Sequence, residues 1–267
     1  MKQKKSHLNY VIFTLFMVFS VFLSHSSIVH ATNSENLSYS TEPTDTTEKS
    51  DDIVILYTND IHSYIDKELS YDVIAGLKTY LKTQYEHVLL VDAGDHIQGT
   101  AYGSMDKGKT VIDLMNASGY DLSVLGNHEF DFGMEGRITV TDTWSKFPYV
   151  SCNFYHEKDN IRGDNVFDSY KLFDLGHEKL AIIGITTPET LTSTTPVYFQ
   201  DASGNYIYGI SGGNNGLDLY ADVQNAIDNE KKDGATHIIA LAHLGDDLSA
   251  QPYTSEETIA NTSGLDA

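Results

Sequence analysis

The sequence predicts an α/β domain built on a largely parallel or mixed sheet. Three observations carry this. Short apolar runs recur along the chain, each of a length suited to a buried strand. Between them lie stretches whose apolar residues fall at helical spacing. The chain is also 40% hydrophobic and 11% aromatic, enough to build a core, which excludes global disorder. Strands interleaved with helices assemble into sheets of this kind.

The elements follow in order. Residues 53–57 (IVILY) form the first strand, nearly pure apolar as a buried strand would be. Val73, Ile74, Leu77, Tyr80 and Leu81 set a helix over 73–81. Residues 88–91 form the second strand. A helix over 109–117 is ended by Gly119, and a third strand covers 122–125. Further strands are expected at 148–154 and 170–175. Residues 180–186 (LAIIGIT) follow Gly176 closely enough to close a hairpin. An amphipathic helix over 217–232 and a strand over 237–242 complete the series.

The N-terminus reads differently. Lys2, Lys4 and Lys5 precede an apolar stretch, residues 10–23, broken only by Thr14 and Ser20. Val29 and Ala31 then place small residues before Thr32. A positive start, a short apolar run and a small-residue exit describe a secretory signal peptide over 1–31, cleaved on export. The run is short for a spanning helix, which needs about 20 apolar residues. Residues 32–52 are polar and acidic and read as a disordered linker. The domain is then 53–267.

The formal charge is −21. The first 31 residues hold three Lys and no acid, so the exported chain reaches −24. Such a chain repels nucleic-acid polymers and anionic membranes, so neither is the expected partner. A single Cys allows no intrachain disulfide and no Cys-based zinc site.

In sheets of this class, ligands gather in loops beyond the C-terminal ends of strands. Here Thr58-Asn59-Asp60-Ile61-His62 follows the first strand, and Asp92-Ala93-Gly94-Asp95-His96 the second. Gly126-Asn127-His128-Glu129 follows the third, and His243-Leu244-Gly245 the last. One Asp or His after a strand is usually a helix cap or a surface residue. Four strand ends in register are hard to explain so. Carboxylate, imidazole and amide donors suit Mn, Zn, Fe or Mg. Asp60 and His62, two apart on a turn, can reach one ion. Asp95 can bridge two, and Asn127 and His243 can complete the second. Two ions in such a site activate water for displacement at phosphorus.

The motifs D-x-H, G-D-x-x-Q-G, G-N-H-E-F-D-F-G and A-H-L-G, in this order, resemble the calcineurin-like metallophosphoesterases. The strings TNDIHS, GDHIQGT and GNHEFDFG are similar to one branch, the secreted 5'-nucleotidases and 2',3'-cyclic-nucleotide phosphodiesterases. The resemblance runs from about residue 53 to the chain end. It implies a four-layer αββα sandwich around two divalent ions, Mn, Zn or similar. It implies Asp60, His62 and Asp95 on one ion, and Asp95, Asn127 and His243 on the other. His128 would stabilise the transferring phosphoryl group and assist the leaving oxygen, with Asp131 orienting its ring. The substrate implied is a small nucleotide. The family's pattern ends in a Gly-His-x-His motif after one further strand, followed by a nucleotide-binding domain. These residues contain neither, so the expectation is a truncated form of weak or no activity.

Alternatives remain at this level. Another phosphoesterase, such as a sugar-nucleotide hydrolase, would share the motifs. An exported binding protein that lost its chemistry would share the scaffold. Residues 103–110 (GSMDKGKT) satisfy the P-loop expression, but the preceding HIQGTAY is no buried strand, as that mechanism requires. Residues 211–216 are expected to be a flexible loop. His96 beside Asp95 is a candidate for touching substrate. Cys152, Trp144 and Phe147 are expected in the core or at an interface.

Overall fold

The computed structural model describes residues 49–267. The expected signal peptide and most of the linker lie outside this range. The linker's last residues do not: strand β1 spans Ser50–Thr58, so Ser50 to Asp52 belong to the sheet. Ser50 is held there by pairing with Tyr85.

Helix α1 (Tyr71–Leu81) leads into β2 (Tyr85–Asp92), which pairs parallel to β1. A short helix α2 (Ala101–Met105) precedes α3 (Lys109–Ser118). Gly119 ends α3 in the left-handed conformation, as expected of a helix-stopping glycine. Strand β3 is only Leu122–Ser123, parallel to β2 and shorter than predicted.

The predicted strand at 148–154 is corrected. Its first part makes only an isolated parallel bridge, Tyr149 to Ser123. Val150 N–H then donates to Ser123 and Cys152 N–H to Gly184, so this segment crosses from one sheet to the other. Apolar composition signalled its burial but not that its partners change along its length. Strand β4 begins at Phe154 (Phe154–Lys158) and pairs antiparallel with β5 (Ile161–Asn165) and β8 (Tyr208–Ile210). This small sheet, absent from the sequence reading, packs Phe154 and Ile210 against the core.

Strands β6 (Tyr170–Leu175) and β7 (Glu178–Thr186) form the expected hairpin, and β9 (His237–His243) joins β7 in parallel. Residues 266 and 267 extend along the far side of β9. Two short helices, α4 (Gly133–Ile138) and α5 (Thr190–Ser193), precede helix α6, which spans Leu217–Lys232 and matches the expected bounds.

The layers follow from the period of two along each strand. Val54, Leu56, Val88 and Leu90 face α1 and α3, packing with Ile112 and Met115. Ile53, Ile55, Leu89 and Val91 face the opposite way and meet Leu180, Ile182, Ile239 and Leu241. Ala181, Ile183, Ile185 and Ile238 then meet Leu219, Val223 and Ile227 of α6. Helix, sheet, sheet, helix: this is the four-layer αββα arrangement. Two sheets of opposed but parallel-containing strands thereby bring the C-terminal ends of β1, β2, β3 and β9 to one edge.

Candidate metal centre

The loops after β1 and β2 are laced together by the backbone. Asp60 N–H donates to Gly94, His62 N–H to Asp95 and Ser63 N–H to His96. Asp60, His62, Ser63 and Asp95 all adopt left-handed conformations, with φ of 53°, 48°, 54° and 57°. Each costs a non-glycine residue roughly 1–2 kcal/mol, and such strain clusters at functional sites. Ser63 offsets part of it through a latch: Thr100 N–H donates to Ser63 Oγ, and Thr100 Oγ1 to Ser63 O.

The loop after β3 approaches so closely that Gly126 is obligatory. A Cβ there would lie 2.1 Å from Asp95 Oδ1. Gly94, at φ 96°, faces the same limit, since its Cβ would lie 2.5 Å from Gly126 N.

Asp95 sits at the centre, nearly fully buried. Its Oδ2 is 3.8 Å from His62 Nε2 and 3.4 Å from His243 Nε2. Asp60 Oδ1 is 3.3 Å from His62 Nε2. Donor atoms of Asp60, Asp95 and His243 lie within 4.8 Å of one another, as do those of His62, Asp95 and His128. Ligands bound to a common ion at about 2.0–2.2 Å stand roughly 3–3.5 Å apart, so the spacing suits a shared cation. The ring orientations suit it too. His62 Nδ1 is hydrogen-bonded to Gln98 O at 3.0 Å and His243 Nδ1 to Ala93 O at 2.8 Å. Both Nε2 atoms are thereby turned toward Asp95, the orienting device metal-binding histidines use. The donor set therefore fits divalent ions.

Of the residues singled out from the sequence, Asp60, His62, Asp95, His128 and His243 converge in these two donor groups, and Asp131 joins them through His128. Asn127 is half-buried, held by the chain between Gly126 and His128. His128 and His62 meet edge to face, with centroids 5.0 Å apart. His128 Nδ1 lies 2.6 Å from Asp131 Oδ2. Burial works to lower the His128 pKa, but Asp131 and Asp95 outweigh it and raise it. Burial likewise opposes the charged form of His243, yet the Asp95 carboxylate lifts it to about 9. Burial would raise Asp95, but His243 and the His128 N–H hold it below the usual carboxylate range.

His96 does not touch this cleft. It is fully buried, with Nδ1 2.7 Å from Asp92 Oδ1 and Nε2 2.9 Å from Tyr149 Oη. Burial lowers its pKa, but Glu129 and Asp92 together carry it up to about 9. Asp92 also accepts from Thr58 Oγ1 and Gly94 N–H. Glu129, fully buried, accepts backbone N–H groups from both neighbouring loops. The sequence reading quoted Asp92 and Glu129 within their strings but gave neither a role. Their signal was only their place beside the candidate ligands, because burial of an acid is not visible locally.

The P-loop match has no such context. Gly108 caps α3 in the left-handed conformation, the preceding element is α2, and Lys109 pairs with Asp113 at 2.6 Å.

The pattern of the calcineurin-like phosphoesterases matches residues 53–266. A snake venom 5'-nucleotidase of Gloydius brevicauda is 37% identical over 161 residues, 54% of this chain and 27% of the relative. A 5'-nucleotidase of Bos taurus is 34% identical over 229 residues, 78% of this chain and 37% of the relative. Among solved structures, the NAD nucleotidase of Haemophilus influenzae superposes with a TM-score of 0.62 at 27% identity, over 80% of this chain and 36% of that one. The chain thus spans about a third of the length of the curated relatives it matches. Motif order, four-layer architecture and a converged carboxylate–imidazole cleft agree with the match: the chain belongs to the calcineurin-like phosphoesterases.

Proposed function

We propose that this chain carries the catalytic centre of a metal-dependent phosphoesterase that hydrolyses the phosphate ester of a small nucleotide, as a 5'-nucleotidase does. One observation carries the reading: four strand ends bring Asp60, His62, Asp95, His128 and His243 together, with Asp95 between the imidazoles of His62 and His243. The 5'-nucleotidase relatives support the substrate class.

Asp60, His62, Asp95, Asn127 and His243 would hold two divalent ions, of the Mn or Zn kind. When bound, such ions supply positive charge that activates a water and offsets the phosphoryl oxygens. The chain's own groups do the rest. Asp131 fixes His128 through Nδ1 and leaves Nε2 facing the cleft. The Asp131 carboxylate against Nδ1 favours the protonated ring, able to stabilise the phosphoryl group and give a proton to the leaving oxygen. The half-exposed edge of the cleft admits a solvated substrate, and the buried Asp95 keeps the ligands fixed. The N-terminal pattern of residues 1–31 supports export before the domain acts. Among the described residues, no helix is long and apolar enough to cross a membrane.

The test is phosphate release from AMP above a Mn²⁺-only blank by the purified chain, at protein concentrations that read weak turnover, beside Asp95→Ala. A loss of at least ~10²-fold in the variant is expected, on the scale of a removed metal or electrostatic group. Equal rates would refute the assignment.

A further inference from the structure

Glu129 follows His128 in the same turn, yet its carboxylate serves two loops. Oε2 accepts Asp95 N–H at 2.8 Å and Gly126 N–H at 2.7 Å. Oε1 accepts His96 N–H at 2.9 Å. One fully buried side chain thus joins the loop after β2 to the loop after β3. The joint is reciprocal, because Asp95 Oδ1 accepts His128 N–H at 2.8 Å. It is also tight: Gly126 has no room for a Cβ beside Asp95. Behind it, His96 Nδ1 lies 3.5 Å from Glu129 Oε1 and 2.7 Å from Asp92 Oδ1. That places an imidazole between two buried carboxylates and ties Glu129 to the end of β2.

We propose that Glu129 is a positioning residue that sets the separation of Asp95 from the Asn127–His128 turn, and so the width of the metal cleft. The proposal rests on the metal-centre reading above. The chemistry demands a carboxylate. Two oxygens face four N–H donors, since Ile97 N–H also reaches Oε1, at 3.5 Å, and each carboxylate oxygen can accept more than one hydrogen bond. Gln would keep the length but turn an NH₂ group toward N–H donors on one side. Asp would keep both oxygens but, a methylene shorter, could not span both loops at their present separation. Either change leaves buried N–H groups unpaired, which is costly at each position. Loops held by backbone strain at Asp60, His62, Ser63 and Asp95 have reason to relax once that tie is lost.

The experiment compares the full chain with Glu129→Gln and Glu129→Asp by two readouts. Hydrogen exchange, without added metal, follows the amides of 93–97 and 125–128 beside those of β2 and β7. Calorimetric titration with Mn²⁺ alone follows affinity, with Asp95→Ala as the reference for lost binding. Both variants are expected to speed loop exchange at least ~10-fold while the strands keep their protection. They are expected to weaken Mn²⁺ binding about 10–100-fold, the usual scale for groups that orient metal ligands. Unchanged loop exchange overturns the proposal. So does exchange that rises equally in loops and strands, which marks a global stabiliser. Loosened loops with unchanged Mn²⁺ affinity overturn it as well. Wild type and Asp95→Ala taking up Mn²⁺ alike would sink the metal-centre reading instead, and loop exchange would still decide the tie. If Glu129→Gln does not fold, Glu129→Asp carries both readouts.

Discussion

His128 and Asp131 show how few atoms organise this cleft. The 2.6 Å contact fixes one ring nitrogen and leaves the other free of Asp131. Asp131→Asn removes the charge while keeping the shape. It should lower kcat for AMP roughly 10–100-fold and leave Mn²⁺ affinity unchanged, because Asp131 is outside the two groups of converging donors. Parallel kinetics and calorimetry separate the two effects. Gly126 makes the complementary point about space. Gly126→Ala would press a methyl group against Asp95 Oδ1, and the neighbour is a buried carboxylate rather than a flexible tip. A cost of roughly 1–3 kcal/mol in urea unfolding is expected, the range for overpacking a tight site. Mn²⁺ affinity should fall with it. His128 stood out in the sequence because the strand-end rule pointed at its loop, and Asp131 through the family resemblance. Gly126 did not, since nothing in GNHEFDFG says that its neighbour in space is Asp95.

At the scale of elements, helix α6 carries an unexpected acid. Glu230 is fully buried on the face that packs against the second sheet, and neither carboxylate oxygen has a hydrogen-bond partner among the described residues. Burial alone pushes its pKa up to about 8 from 4.5. The folded state therefore binds a proton that the unfolded chain has released between about pH 4.5 and 8. The stability it contributes in acid is lost as pH rises through that window. Glu230→Gln should remove this pH dependence. Its Tm should match wild type near pH 5 and exceed it by a few degrees near pH 8.5, roughly what about 1–2 kcal/mol gives in a domain of this size. Thermal unfolding across pH checks it, and parallel curves for the two proteins would refute it. The amphipathic pattern gave the helix its bounds, but it does not show that an acid sits on the inner face. The corrected strand at 148–154 failed for a related reason. Periodicity reports that a segment is buried, not that it leaves one sheet for another midway.

At the scale of the molecule, the contact between the two sheets holds the cleft's strands together. Ile182 lies wholly buried there beside Leu180, Ile239 and Leu241. Ile182→Ala should cost about 2–5 kcal/mol, the usual range for a truncated core side chain. Because β7 is bonded along its length to β9, which ends at His243, Mn²⁺ affinity in the surviving folded fraction should fall too. Urea unfolding with and without Mn²⁺ measures both.

The sequence by itself determined the α/β class, the order and approximate bounds of its main strands and helices, and the candidate residues of the cleft. It could do so because apolar period and strand-end position are local properties, and because Asp, Asn and His in four such loops carry their chemistry with them. Only the tertiary structure decided that Glu129 ties two of those loops, that His96 turns into the core, that Gly126 has no room for a side chain, and that a third, antiparallel sheet exists. Each of these depends on which residues distant in the chain come to share a neighbourhood. Burial and hydrogen-bond partnership are properties of that neighbourhood, and no stretch of sequence contains them.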